Sequence, residues 1–122
     1  FSSEFTRREQ ARELIAELQG RGRPVIVMGD LNTEWHHQDS TVRLISSELG
    51  LSAYSPDGQG LETFPFSGKR LDWILLSGEL SFSSYRVMPD ILSDHRGVVA
   101  EIVLDPQFIS PLSDPEIALV LD

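Results

Sequence analysis

Apolar residues first recur along the chain at helical spacing. Ala11, Leu14, Ile15 and Leu18 fall on one face, with charged residues between them. Thr6 and Glu9 form a Thr-x-x-Glu capping box that predicts where this helix starts, and Gly20 is a natural stop. The pattern then changes period. Pro24 to Met28 is a short, unbroken apolar run with β-branched content, which predicts a buried strand ended by Gly29. Leu31 to Gln38 reads as a loop. Asp39 or Ser40 caps a second predicted helix over Thr41 to Leu49, with Val42, Ile45 and Leu49 inward and Gly50 as its stop.

The remainder is strand-rich. Ser55 to Gly60 is a loop rich in Pro, Gly and Asp. Short strands are predicted at Glu62 to Phe64, before Pro65, and at Leu71 to Leu76. Ser81 to Met88 alternates less cleanly and reads as another strand. Pro89 to Arg96 is a loop, and Val98 to Leu104 a final strand. From Pro106 the chain holds three prolines and one apolar run, Ile117 to Leu121, which the pattern does not place. Residues 1–104 thus read as the folded unit and residues 105–122 as an acidic, Pro-containing tail. The order of helix, strand, helix and several strands predicts an α/β layer arrangement with a mixed sheet.

Length and composition narrow the class. A chain of 122 residues forms one domain at most. It has no run of about 18 apolar residues to span a membrane, and Phe1 to Glu17 lacks the apolar core of a signal peptide. The absence of cysteine excludes disulfides, thiol catalysis and cysteine-ligated metals. It leaves a soluble protein's compartment open between cytoplasm and secretion. The net charge is -9; the tail carries four of those negative charges and leaves five on residues 1–104. Such a surface disfavours avid, non-specific binding to nucleic acid. It leaves room for a small phosphorylated substrate, or for nucleic acid held through a metal. Nine of the ten basic residues are Arg, which suits planar contacts to carboxylate or phosphate, although compositional bias explains the same count.

Three short stretches carry candidate chemistry. In Val25-Ile-Val-Met-Gly-Asp30-Leu-Asn32 an apolar strand delivers an Asp and an Asn two residues apart, on one side if the backbone stays extended. A plain turn accounts for the same residues. In Leu71-Asp72-Trp73-Ile74-Leu75-Leu76 an Asp lies within an apolar strand. Even a neutral polar group costs roughly 2–7 kcal/mol to bury unpaired, so Asp72 needs a metal, a histidine or an arginine such as Arg70. In Ser93-Asp94-His95-Arg96 a His beside an Asp precedes a strand. It suits general acid/base work or stabilisation of phosphate charge, with Asp72 orienting the ring. Asp94 and Asp30 offer hard oxygen ligands to a divalent cation.

Taken in order, Gly29-Asp30-Leu31-Asn32, Arg70-Leu71-Asp72-Trp73-Ile74-Leu75-Leu76-Ser77 and Ser93-Asp94-His95-Arg96 resemble the endonuclease/exonuclease/phosphatase, or DNase I-like, superfamily. Thr63-Phe64-Pro65 also looks like many bacterial members. The resemblance covers about residues 5–104. It implies a phosphoesterase dependent on Mg²⁺ or Mn²⁺, acting on a phosphorylated small molecule, a lipid headgroup or nucleic acid. By the same resemblance Asp30 positions or activates the attacking water, and Asn32 hydrogen-bonds the phosphate. Asp72 orients His95, Asp94 contributes to a metal site with Asp30, and His95 stabilises the scissile phosphate.

Family domains are longer, and begin with a strand bearing an Asn and a following metal-binding Glu. The chain therefore resembles the C-terminal half of a four-layer α/β/β/α sandwich, with a mixed, mostly antiparallel sheet and flanking helices. The inner face of that sheet is expected to be covered by the missing half, by swapping or by a second copy. The alternative is a truncated or degenerate half that folds or binds a partner without catalysis.

Weaker candidates surround these motifs. His36 and His37, with Glu34 and Asp39, form either a metal cluster or, more simply, a solvated loop. Trp35 is a stacking residue or a partly buried anchor, and Trp73 belongs to the core. Lys69 and Arg70 meet a phosphate or lie on a solvated strand edge.

Overall fold

A computed structural model describes residues 3–22, 24–91, 93–108 and 116–120. Phe1 and Leu121, named above, lie outside them. Helix α1 spans Glu4–Leu18 and helix α2 Thr41–Leu49. The strands are β1 (Val25–Asp30), β2 (Ser52–Ala53), β3 (Asp72–Leu76), β4 (Leu80–Ile91), β5 (Arg96–Leu104) and β6 (Glu116–Val120).

Helix α1 starts earlier than the capping box suggested. Ser3 is the cap, its hydroxyl accepting the Thr6 N–H at 3.1 Å, so Thr6 and Glu9 lie inside the helix. A Ser three residues upstream satisfies an orphan N–H of the first turn and adds nearly a full turn of helix. Helix α2 matches its predicted span. Ser40 accepts from the Arg43 N–H at 3.1 Å, and Gly50 closes the helix in a left-handed conformation.

Strands β2, β3, β1 and β6 form one sheet in that order. β1 is antiparallel to β3 and parallel to β6. Alternation along the strands divides the sheet into two faces. Val25, Val27, Trp73 and Leu75 pack under the helices with Ala11, Ile15, Leu18, Val42 and Ile45. Ile26, Ile74 and Leu76 face the other way, against Leu80, Phe82, Tyr85, Val98, Ala100 and Ile102 of the β4–β5 hairpin. The molecule is therefore an α/β fold of three layers: helices, a mixed and mostly antiparallel sheet, and a two-stranded ribbon.

The face expected to be covered by a missing half, by swapping or by a second copy is covered in part from within the chain. The chain's own hairpin covers β1 and β3. What stays open on that side is β6, where Ile117 and Leu119 are 60% and 62% exposed beside the covered Ile26 and Met28.

Other boundaries shift for physical reasons. β1 runs through Gly29 to Asp30. A Cβ on Gly29, at φ +139°, would sit 1.8 Å from the Val120 carbonyl oxygen, so glycine lets β6 lie against the strand rather than ending it. Glu62–Phe64 is not a strand; only Phe64 bridges to Lys69 across a tight turn. β4 extends to Ile91 and β5 begins at Arg96, which shortens the predicted loop between them. The unplaced apolar run supplies β6.

Candidate active site

The antiparallel register of β1 and β3 pairs Asp30 with Asp72, at the C-terminal end of one strand and the N-terminal start of the other. His95 closes the group from the loop just before β5. Its Nδ1 lies 2.6 Å from Asp72 Oδ2 and its Nε2 3.6 Å from Asp30 Oδ2. The three side chains are each about one-fifth exposed, open enough to meet a ligand and shielded enough to hold geometry. Among the described residues they form the cluster whose ligand atoms lie within 4.8 Å of one another.

The turn after β1 differs from the extended path expected. Asn32 adopts φ +55°, and its N–H donates to Asp30 Oδ1 at 2.8 Å. The carboxylate thus folds back on its own loop in an Asx-type turn, to which Asn is well suited. Leu31 between them is buried and anchors the turn in the core.

Charge follows from this packing. Burial pushes the Asp30 carboxyl above its usual range. The nearby Asp72 adds to the rise, while the Asn32 N–H and His95 offset part of it. For His95, burial pushes the imidazolium down. The hydrogen bond to Asp72 and the charges of Asp72, Asp30 and Asp94 outweigh it and hold the ring above its ordinary 6.5. Phe64 packs against the ring with centroids 5.2 Å apart.

The motif residues divide accordingly. Asp30, Asp72 and His95 converge, and Asn32 joins through its backbone. Asp94 is exposed and lies outside the cluster. A residue that the pattern did not single out is Thr63, fully buried, whose hydroxyl donates to Asp72 Oδ2 at 2.6 Å. A threonine in a loop gives no periodic signal; only its place ahead of the Leu-Asp-Trp strand hinted at it.

The family model for endonuclease/exonuclease/phosphatase proteins matches residues 2–95, three-quarters of the chain, with the first two motifs whole and the third through His95. The chain belongs to the endonuclease/exonuclease/phosphatase family. That membership puts it in a superfamily of phosphoester hydrolases, whose members typically use divalent metals. The match ends at His95, so β5 and β6 lie beyond it. No curated protein and no solved structure shows a significant match.

The weaker candidates resolve differently. Arg70 neither pairs with Asp72 nor meets solvent. It is 7% exposed, stacks 4.1 Å over Trp73, and donates to the Ser55 carbonyl at 2.8 Å and the Tyr54 carbonyl at 2.7 Å. His36 pairs with Asp57 and Asp39 with Arg8, so the loop acids and histidines do not gather around one point. Trp35 is a partly buried anchor 5.9 Å from Trp73, whose indole N–H donates to the Thr33 carbonyl. A cavity of about 390 Å³ opens beside Trp35, Trp73 and Arg70, but none of the three clustered residues lines it.

No helix among the described residues is long and apolar enough to cross a membrane.

Proposed function

We propose that the chain is a divalent-metal-dependent phosphoester hydrolase whose working centre is Asp30, Asp72 and His95, with Asn32 and Asp94 at its margin. The observation that carries this reading is the convergence of the three motif side chains, from residues 65 apart in sequence, on one point.

The roles follow from each group's environment. His95, its proton affinity raised by Asp72, donates from Nδ1 to that carboxylate and leaves Nε2, when protonated, to stabilise negative charge on a phosphate oxygen. Asp30, with its proton affinity raised by burial, orients the attacking water and accepts its proton. The Asn32 side chain, at the tip of the turn, hydrogen-bonds the phosphate.

The carboxylates of Asp30 and Asp94 would hold Mg²⁺ or Mn²⁺, which favour oxygen donors and keep several waters, while Asp72 and His95 engage each other. Bound there, the cation supplies Lewis-acid polarisation of the phosphoryl group. The substrate is a phosphorylated small molecule, lipid headgroup or nucleic acid; the net charge of -9 weighs against long duplex DNA.

The test is a panel of chromogenic phosphodiesters and phosphomonoesters incubated with Mg²⁺, Mn²⁺ or EDTA. Turnover with metal that EDTA abolishes is expected. Absence of turnover across the panel would contradict the reading and favour a non-catalytic module.

A further inference from the structure

Thr63 commits its hydroxyl and its carbonyl to the surroundings of His95. Its hydroxyl accepts the backbone N–H of Leu71 and that of Asp72, both at 3.1 Å. A hydroxyl has two lone pairs and one proton. With both lone pairs engaged and no water access at 0% exposure, that proton has one destination, Asp72 Oδ2 at 2.6 Å. This is the same oxygen that faces His95 Nδ1. The Thr63 carbonyl accepts the Arg96 N–H at 2.7 Å, just past His95, and its own N–H donates to the Lys69 carbonyl at 3.0 Å.

We infer that Thr63 is the positioning residue of this site: an obligate donor that pins Asp72 Oδ2 toward His95 and thereby fixes the ring's Nδ1–H tautomer and its angle. The inference rests on the hydrolytic reading above for its consequence in turnover, but not for its consequence in structure. The bond is charge-assisted and short, the class that resists thermal swinging of a carboxylate. Without it, Asp72 is free to rotate about its side-chain torsions, and His95 follows. Displacements of about 1 Å in a reacting group cost on the order of 100-fold in rate.

The decisive consequence concerns an amide at position 72. In Asp72→Asn, the Thr63 hydroxyl still has only a proton to offer, so the amide oxygen must take the Oδ2 position. That oxygen then still accepts from His95 Nδ1–H, and the tautomer survives the loss of charge. Removing the donor as well, in Thr63→Val/Asp72→Asn, frees the amide to flip and the tautomer is lost.

The experiment is long-range ¹H–¹⁵N correlation of the imidazoles in the full chain with EDTA, above the pH at which His95 titrates. The signals are assigned by comparison with His95→Ala. His95 in wild type and in Asp72→Asn should both show Nδ1–H. A switch to Nε2–H in Asp72→Asn, with Thr63 present, would overturn the inference even if Thr63→Val fails to fold. Where Thr63→Val does fold, kcat should fall about 10- to 100-fold with KM little changed, and Thr63→Ser, which keeps the hydroxyl, should recover most of it. Wild-type kcat and wild-type nitrogen shifts in folded Thr63→Val would equally overturn it. A chain that shows the expected tautomers but hydrolyses nothing refutes the hydrolytic reading and leaves the role of Thr63 standing.

Discussion

His95 Nδ1 sits 2.6 Å from Asp72 Oδ2, while its other ring nitrogen is 3.6 Å from Asp30. One nitrogen is thus committed to orientation and the other is left toward the second carboxylate. A histidine held this way acts with its orienting acid as a unit. Asp72→Ala and His95→Ala should therefore not add. Each is expected to lower turnover, and the double variant should be no slower than the worse single one. Losses that sum in a double-mutant cycle would separate the two residues.

Asp30 has a stability consequence of opposite sign to the usual aspartate. Its folded-state carboxyl titrates above the ordinary 3.8 because burial disfavours the charge. Between 3.8 and the raised value the folded chain holds more protons than the unfolded one, so stability falls as pH rises through that window. Above it, the ionised group is a standing cost. Asp30→Asn should then be inactive yet at least as stable as wild type at neutral pH in EDTA, with the advantage vanishing toward acid. Urea melts at two pH values check this; a destabilised Asp30→Asn at neutral pH contradicts it.

Arg70 is a buried cation whose terminal nitrogens donate to carbonyls and whose guanidinium lies over aromatic faces, while its Nε has no hydrogen-bond partner and no carboxylate among the described residues pairs with it. It also reaches the Tyr85 hydroxyl at 3.3 Å, joining β3 to the hairpin. Arg70→Met strands those acceptors. It should cost roughly 2–4 kcal/mol in a urea melt, the range for breaking a buried network. A loss within 0.5 kcal/mol, typical of surface substitutions, would assign Arg70 no structural role.

Gly29→Ala probes the seating of β6. A methyl group there meets the Val120 carbonyl at 1.8 Å, and φ of +139° is itself strained for any residue with a Cβ. A destabilisation of at least about 2 kcal/mol is expected, with part of it relieved in a chain ending at Leu104. Equal costs in the two chains would mean that the strand contact contributes nothing.

How much of this was legible beforehand depended on whether a signal was local. Helix α2 could be bounded from Ser40 to Gly50 because cap, period and stop all lie within one stretch of chain. Asp30, Asp72 and His95 were legible because each stands in a short motif whose order survives any tertiary arrangement. The burial of Arg70 was not, since its partners are backbone carbonyls 15 and 16 residues away and two aromatic rings. β6 was equally hidden. Its parallel pairing with β1 spans most of the chain, and five apolar or acidic residues do not announce a partner. Both hairpin strands were legible, but their packing onto β1 and β3 was not, because alternation in Ser81 to Met88 is broken near a register shift between Phe82 and Ser84 and shows no clean apolar face.

The central claim, that Asp30, Asp72 and His95 form a phosphoester-hydrolysing centre, is tested most directly by one comparison. Wild type and His95→Ala, both verified as folded by circular dichroism, are assayed on a chromogenic phosphodiester with Mn²⁺. A fall in turnover of about 10²–10⁴ in the variant is predicted, the range for a positioned acid/base or charge-stabilising side chain. Equal turnover by the two proteins would remove His95 from the chemistry and contradict the account.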